Sequence, residues 1–159
     1  MGLQYSVHRP SGFILAHGHQ LLPEWRLPVQ SVLVVLQHCQ VPLVPMTPET
    51  ERQKQSLRLQ FLSFARPIVQ SLQTQGYEVD LFDPKTGQPL LSLAGILTLD
   101  DVAVVQSLLG YPFLPQGQCH VLAHPQWGTA VFPSVLVSTA PPEQLAAVVQ
   151  TACPSSCSS

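Results

Sequence analysis

The stretch Cys119-His120-Val121-Leu122-Ala123-His124-Pro125-Gln126-Trp127-Gly128-Thr129-Ala130-Val131-Phe132-Pro133-Ser134-Val135-Leu136-Val137 decides the architecture. Two apolar, β-prone runs, 119–123 and 129–137, flank the short connection Pro125-Gln126-Trp127-Gly128. That spacing predicts a hairpin of two strands. A hairpin that closes a chain of alternating strands and helices predicts an α+β fold, an antiparallel sheet flanked by helices.

Working outward, residues 11–17 read as a first strand, and Val32-Leu33-Val34-Val35-Leu36 as a second, β-branched and continuously apolar. Thr47 reads as an N-cap, with Pro48 at the first helical position and Glu49 and Glu51 in the first turn. The helix that follows carries Leu57, Phe61, Ala65, Ile68 and Leu72 along one face, and Gly76 supplies its stop. Pro67 lies inside it and predicts a kink or a lost hydrogen bond. Tyr77, Val79 and Leu81 alternate with Glu78 and Asp80, the pattern of a half-buried strand. Asp83-Pro84-Lys85-Thr86-Gly87 is a turn, because Pro84 presets one backbone angle and Gly87 accepts a positive one. Residues 89–93 return as a short strand. Thr98 with Asp101 three residues on resembles a capping arrangement. It opens a helix bearing Val102, Val105, Leu108 and Leu109, closed by Gly110, and residues 142–151 form a last helix. One domain is expected over 1–152, followed by a mobile Cys/Ser tail, 153–159.

The 159 residues suffice for a core without disulfide staples. Only 10% are charged, against roughly a quarter in ordinary soluble domains. The seven Lys and Arg are scattered and the net charge is -2, which gives no footprint for nucleic acid. No run approaches the roughly 18 apolar residues that span a bilayer, so no membrane partner is expected. No signal or transit peptide is legible, and four cysteines without one point to a reducing, cytoplasmic setting.

Standard catalytic signatures are missing from the sequence: no Walker loop, no Gly-x-Gly-x-x-Gly, no His-Glu-x-x-His, no Gly-x-Ser-x-Gly. The adjacent acids Asp100 and Asp101 sit at a predicted helix start, where the dipole favours them. His38 and Cys39 end one strand while Cys119, His120 and His124 lie on and after another. Were those strands neighbours, they could hold zinc, although no Cys-x-x-Cys supports that. Cys119 stands where a loop enters a strand, positioned either to meet a ligand or to pack in the core. Trp127 reads as a core aromatic capping the hairpin, with Gly128 leaving room for its ring, or as a partner contact. Cys153 and Cys157 read as unpaired tail thiols.

From about Val32 to Pro142 the chain resembles the cobalamin trafficking protein D (CblD) family. The resemblance rests on Gly76-Tyr77, Asp80, Asp83-Pro84, Gly87, Leu109-Gly110, Gly117, Cys119, His124 and Trp127-Gly128-Thr129, in order and spacing. It implies a nitroreductase-like fold without flavin or oxidoreductase activity. It further implies a non-enzymatic adaptor that binds a CblC-like cobalamin-processing protein and helps direct cobalamin to user enzymes such as methionine synthase. Cobalamin would then be held only transiently, through the partner. The implied cobalamin contacts are Gly117, Gln118 and Cys119, with the Cys119 thiolate on cobalt, a soft ligand suited to that metal. His124, Trp127, Gly128 and Thr129 would form the partner interface. Gln118 stands where animal members carry the cobalt-assigned first cysteine of a pair, and Cys119 occupies the second position. Two rival readings are a thiol-dependent enzyme using Cys119 with His120 or His124, and a self-associating, homodimeric relative without cobalamin chemistry.

Overall fold

A computed structural model describes residues 2–42, 47–116 and 119–152, with the backbone alone for 113–116 and 119–120. Gly117, Gln118, Cys153 and Cys157 lie outside the described residues, as do the side chains of Cys119 and His120. In chain order the elements are β1 (Leu3–His8), α1 (Gly12–Ala16), α2 (Gly18–Leu21), β2 (Ser31–His38), α3 (Pro48–Thr74) and β3 (Val79–Phe82). They continue with α4 (Asp101–Leu109), β4 (Phe113–Gln116), β5 (Cys119–Leu122), β6 (Val131–Ser138) and α5 (Pro142–Ala152).

The fold is α+β. Four antiparallel strands lie in the order β1-β2-β6-β3, and β4 with β5 forms a separate two-stranded ribbon. Because successive strand residues face opposite sides, β2 divides its apolar run between two cores. Leu33 and Val35 join Phe61, Ala65, Ile68 and Leu72 of α3 and Leu145 of α5 on one face. Val32, Val34 and Leu36 join Ile14, Leu21, Val105 and Leu122 on the other. A strand covered on both faces is apolar where it is covered, as β2 is from Val32 to Leu36.

The long helix starts as its sequence dictates: the Thr47 side chain accepts from Thr50 N at 3.2 Å, and Thr50 Oγ1 accepts from Thr47 N at 3.0 Å. The helix remains continuous through Pro67, which is exposed. There water can serve the carbonyl that the missing N–H leaves free.

Five sequence expectations are corrected. Residues 11–17 are helical, because Ser11 caps Ile14 N at 3.4 Å; the edge strand is Leu3–His8, paired from Leu3↔Gln37 to His8↔Val32. The hairpin of 119–123 with 129–137 does not form. Strand β6 is hydrogen-bonded to β2 along its whole length and, on its other edge, to β3 over Val135–Ser138, while β5 pairs with β4. The 77–81 strand is not half-buried: all four residues of β3 are covered. Residues 89–93 contribute an isolated bridge, Phe82↔Pro89, rather than a strand. The cap of α4 is Asp100, which accepts from Val102 N at 3.0 Å and Ala103 N at 3.3 Å, rather than a Thr98 and Asp101 arrangement.

Candidate functional site

The bend after β5 is built around His124. His124 and Gly128 exchange both backbone hydrogen bonds, at 2.8 and 2.9 Å. Gly128 has a φ of +57°, the left-handed region that favours glycine. A Cβ added there would meet nothing within 4 Å. Gly128 is therefore required for its backbone angle.

The His124 ring is only 5% exposed. Its Nδ1 accepts from Gln126 N at 3.0 Å and from Trp127 N at 3.1 Å. An Nδ1 that accepts twice carries no proton, so Nε2–H is the donor, facing Gln4 Oε1 at 3.1 Å. Trp127, half-buried, stacks on His124 (centroids 4.3 Å apart, planes 14°) and on His38 (5.0 Å, 15°). Tyr111 meets His124 edge-on at 5.4 Å. Residues from the start of β1, the end of β2 and the post-β5 bend thus converge. Both ring nitrogens of His124 are engaged, so this histidine is not a free base for Cys119. Gly128 is exposed and Thr129 half-buried beside it.

Burial, and then the nearby His38, hold the His124 pKa below its ordinary value; protonation at Nδ1 would also break two hydrogen bonds. The unfolded chain takes up this proton near pH 6.5, whereas the folded chain resists it. The stability from neutral His124 is therefore present above the unfolded pKa and declines as pH falls toward the folded one. His8, also lowered by burial, adds in the same direction. We expect the unfolding temperature to drop from pH 7.5 to 5.5, and less steeply in His124→Gln. Parallel drops in the two proteins would refute the assignment.

Cys39, the other strand-end thiol, is 2% exposed and packs against Leu57 and Phe132. Burial pushes its thiol up to about 12, so it is protonated at neutral pH and unsuited to ligation or attack. Neighbouring His38 is exposed and takes its place in the ring stack. Among the described residues no three His, Cys, Asp or Glu side chains are grouped to hold a metal. The zinc reading also needs Cys119 and His120, whose side chains lie outside the described residues. No helix among the described residues is long and apolar enough to cross a membrane.

Sequence reasoning missed two acids. Asp80 is fully buried and accepts from Leu81 N (2.8 Å), Leu90 N (3.0 Å), Leu91 N (2.9 Å) and Ser92 Oγ (2.6 Å). Asp101 is buried with both carboxyl oxygens unpartnered. The adjacent-acid pattern signalled a helix start but not this inward turn.

The sequence model of the methylmalonic aciduria and homocystinuria type D protein family matches residues 13–150, both cores and the His124 bend included. This chain belongs to that family. Among relatives of the type D family, the chain is 29% identical over 111 residues to the Mus musculus protein named cobalamin trafficking protein CblD. That match covers 70% of this chain and 38% of the mouse protein. The Homo sapiens protein of the same name is 27% identical over 123 residues, 77% of this chain and 42% of the human one. The Gallus gallus protein is 25% identical over the same length. The matches thus span about two-fifths of these type D relatives.

Proposed function

We propose that this chain serves cobalamin trafficking as a non-enzymatic adaptor. It docks a CblC-like cobalamin-processing protein and offers the Cys119 thiolate to the cobalt of the cargo during hand-over. The type D family match over residues 13–150 carries this reading. The placement of Cys119 supports it: the residue opens β5, three residues before Leu122 anchors that strand in the core. A thiolate presented from a loop and strand junction is exchangeable, and exchange is what a transfer step needs. Cys39 cannot substitute, since its thiol is buried and protonated. Two covered faces on an antiparallel sheet are compatible with the nitroreductase-like architecture that the resemblance implies, here without flavin. Methionine synthase is a recipient consistent with this role.

The test mixes the protein with cob(II)alamin and a CblC-like partner and follows cobalt by electron paramagnetic resonance. The expected result is a sulfur-ligated signal that strengthens as pH rises through the thiol's titration. Cys119→Ser abolishes it, while Cys153→Ser and Cys157→Ser leave it intact. Partner binding without any sulfur-ligated signal would overturn the thiolate step and leave docking alone. Failure to bind the partner would overturn the adaptor reading.

A further inference from the structure

The four-stranded sheet has two edges, and the chain treats them differently. Along the outer edge of β3, residues 89–91 supply partners. Phe82 bridges Pro89, Leu90 N donates to Leu81 O at 2.9 Å, and Asp80 gathers the amides of Leu90 and Leu91. The outer edge of β1 has no such cover among the described residues. A bare edge is a template for another strand, and proteins that avoid such pairing place Lys, Pro or a bulge there. Residues 2–8, Gly-Leu-Gln-Tyr-Ser-Val-His, contain no Lys, Arg, Asp, Glu or Pro. Their register to β2 runs unbroken from Leu3↔Gln37 to His8↔Val32.

The phase of that ladder fixes which backbone groups face outward. His38 N donates to Gly2 O at 2.6 Å, whereas Cys39 N donates away from β1, to Ala130 O at 2.9 Å. In an antiparallel pair, bonded and non-bonded residue pairs alternate. Gln4, Ser6 and His8 therefore turn their backbone groups to β2, and Leu3, Tyr5 and Val7 turn theirs outward. Among the described residues nothing hydrogen-bonds to those outward groups. The side chains of the same three residues pack against the core beneath α3 and α5, where the Tyr5 ring lies 6.5 Å from that of Phe64. Gln4 meets His124 on the opposite face, where Ser6 also bonds His8 at 2.7 Å.

We propose that β1 pairs antiparallel with β1 of a second copy of this chain, about a two-fold axis through Tyr5, joining two sheets into one. Centred there, Leu3 faces Val7 of the second copy, Tyr5 faces Tyr5 and Val7 faces Leu3, each pair exchanging two hydrogen bonds. All three pairs are apolar and share one face, while Gln4 meets Ser6 on the other, and no like charges oppose. A shift of two residues either way leaves only two of these pairs within β1. Such self-complementarity is what an isologous contact requires, and it selects a second copy over an unrelated strand. This inference is independent of the trafficking role.

Sedimentation equilibrium and amide hydrogen exchange of the full chain across a dilution series test it. The mass is expected to rise with concentration from one chain, 17.4 kDa, to twice that. In step with it, exchange at Tyr5 and Val7 should slow by at least about tenfold, while Gln4 and Ser6 stay slow throughout. Val7→Pro removes an outward N–H without touching the β2 ladder and should leave a folded monomer. Tyr5→Lys and Tyr5→Glu each set like charges on the axis and should be monomeric alone, yet pair when mixed. That exchange of charge covers the case that the proline variant fails to fold. A monomer at every concentration overturns the proposal, as does a dimer in which Tyr5 and Val7 exchange as fast as in the monomer, or one that survives Val7→Pro. Protection of Tyr5 and Val7 only on adding a CblC-like protein would give the edge to that partner and overturn self-pairing as well.

Discussion

Asp80→Ala is expected to destabilise the protein by about 3–5 kcal/mol, measured by denaturant unfolding at neutral pH. The carboxylate replaces the strand partner that β3 lacks on its outer edge. Its Oδ1 accepts from the backbone of Leu81, Leu90 and Leu91, and its Oδ2 from Ser92. Alanine removes the acceptor of Leu81 N, Leu91 N and Ser92 Oγ beside a fully buried position and leaves Leu90 N only the Leu81 carbonyl at 2.9 Å, and unmade buried bonds cost more than made ones gain. Asp80→Asn keeps one acceptor oxygen and should lose less than half as much. Amide hydrogen exchange at Leu90 and Leu91 should accelerate in Asp80→Ala before global unfolding does. An alanine variant within about 1 kcal/mol of the parent would show that the 89–92 segment finds other partners.

Trp127→Ala should cost about 2–4 kcal/mol, less than a full core deletion because the ring is half-buried. The loss combines packing against the core that holds Leu36 and Leu122 with the stacks on His124 and His38. Trp127→Phe preserves a stacking face and should recover most of the stability. The same pair of variants separates scaffold from interface. If Trp127 only holds the bend, binding of a CblC-like partner should survive in Trp127→Phe at temperatures where it is folded. If the indole is itself a contact, binding should collapse in Trp127→Phe while stability is largely kept. Unchanged stability in Trp127→Ala would contradict the stacked geometry.

Some of this chemistry was legible in the residues. The Thr47-Pro48 start, the apolar face from Leu57 to Leu72 and the Val32–Leu36 run each rest on local rules, capping and periodicity, that packing left intact. The alternation Leu3, Tyr5, Val7 was equally available, yet the strand was placed at 11–17, where Ser11 proved to be a helix cap. The candidate site was half-visible. His124, Trp127 and Gly128 stand together in the sequence, but the Nε2 partner of His124 is Gln4, 120 residues away. His38, the second ring against Trp127, arrives on β2.

Capping and periodicity alone established a long capped helix and an apolar central strand, because those depend on neighbours within a few residues; the α+β class was reached through a hairpin that the structure does not contain. Strand order was decided only by the tertiary structure. Two apolar runs joined by a tight bend look like a hairpin, yet β6 pairs with β2 along its length and with β3 over Val135–Ser138, segments far away in sequence, and β5 pairs with β4. The same holds for the acids. Asp80 and Asp101 resemble solvent-facing residues at a strand and a helix start. Tertiary packing buries them, leaving Asp80 saturated with hydrogen bonds, three of them from residues 90–92, and the Asp101 oxygens with none.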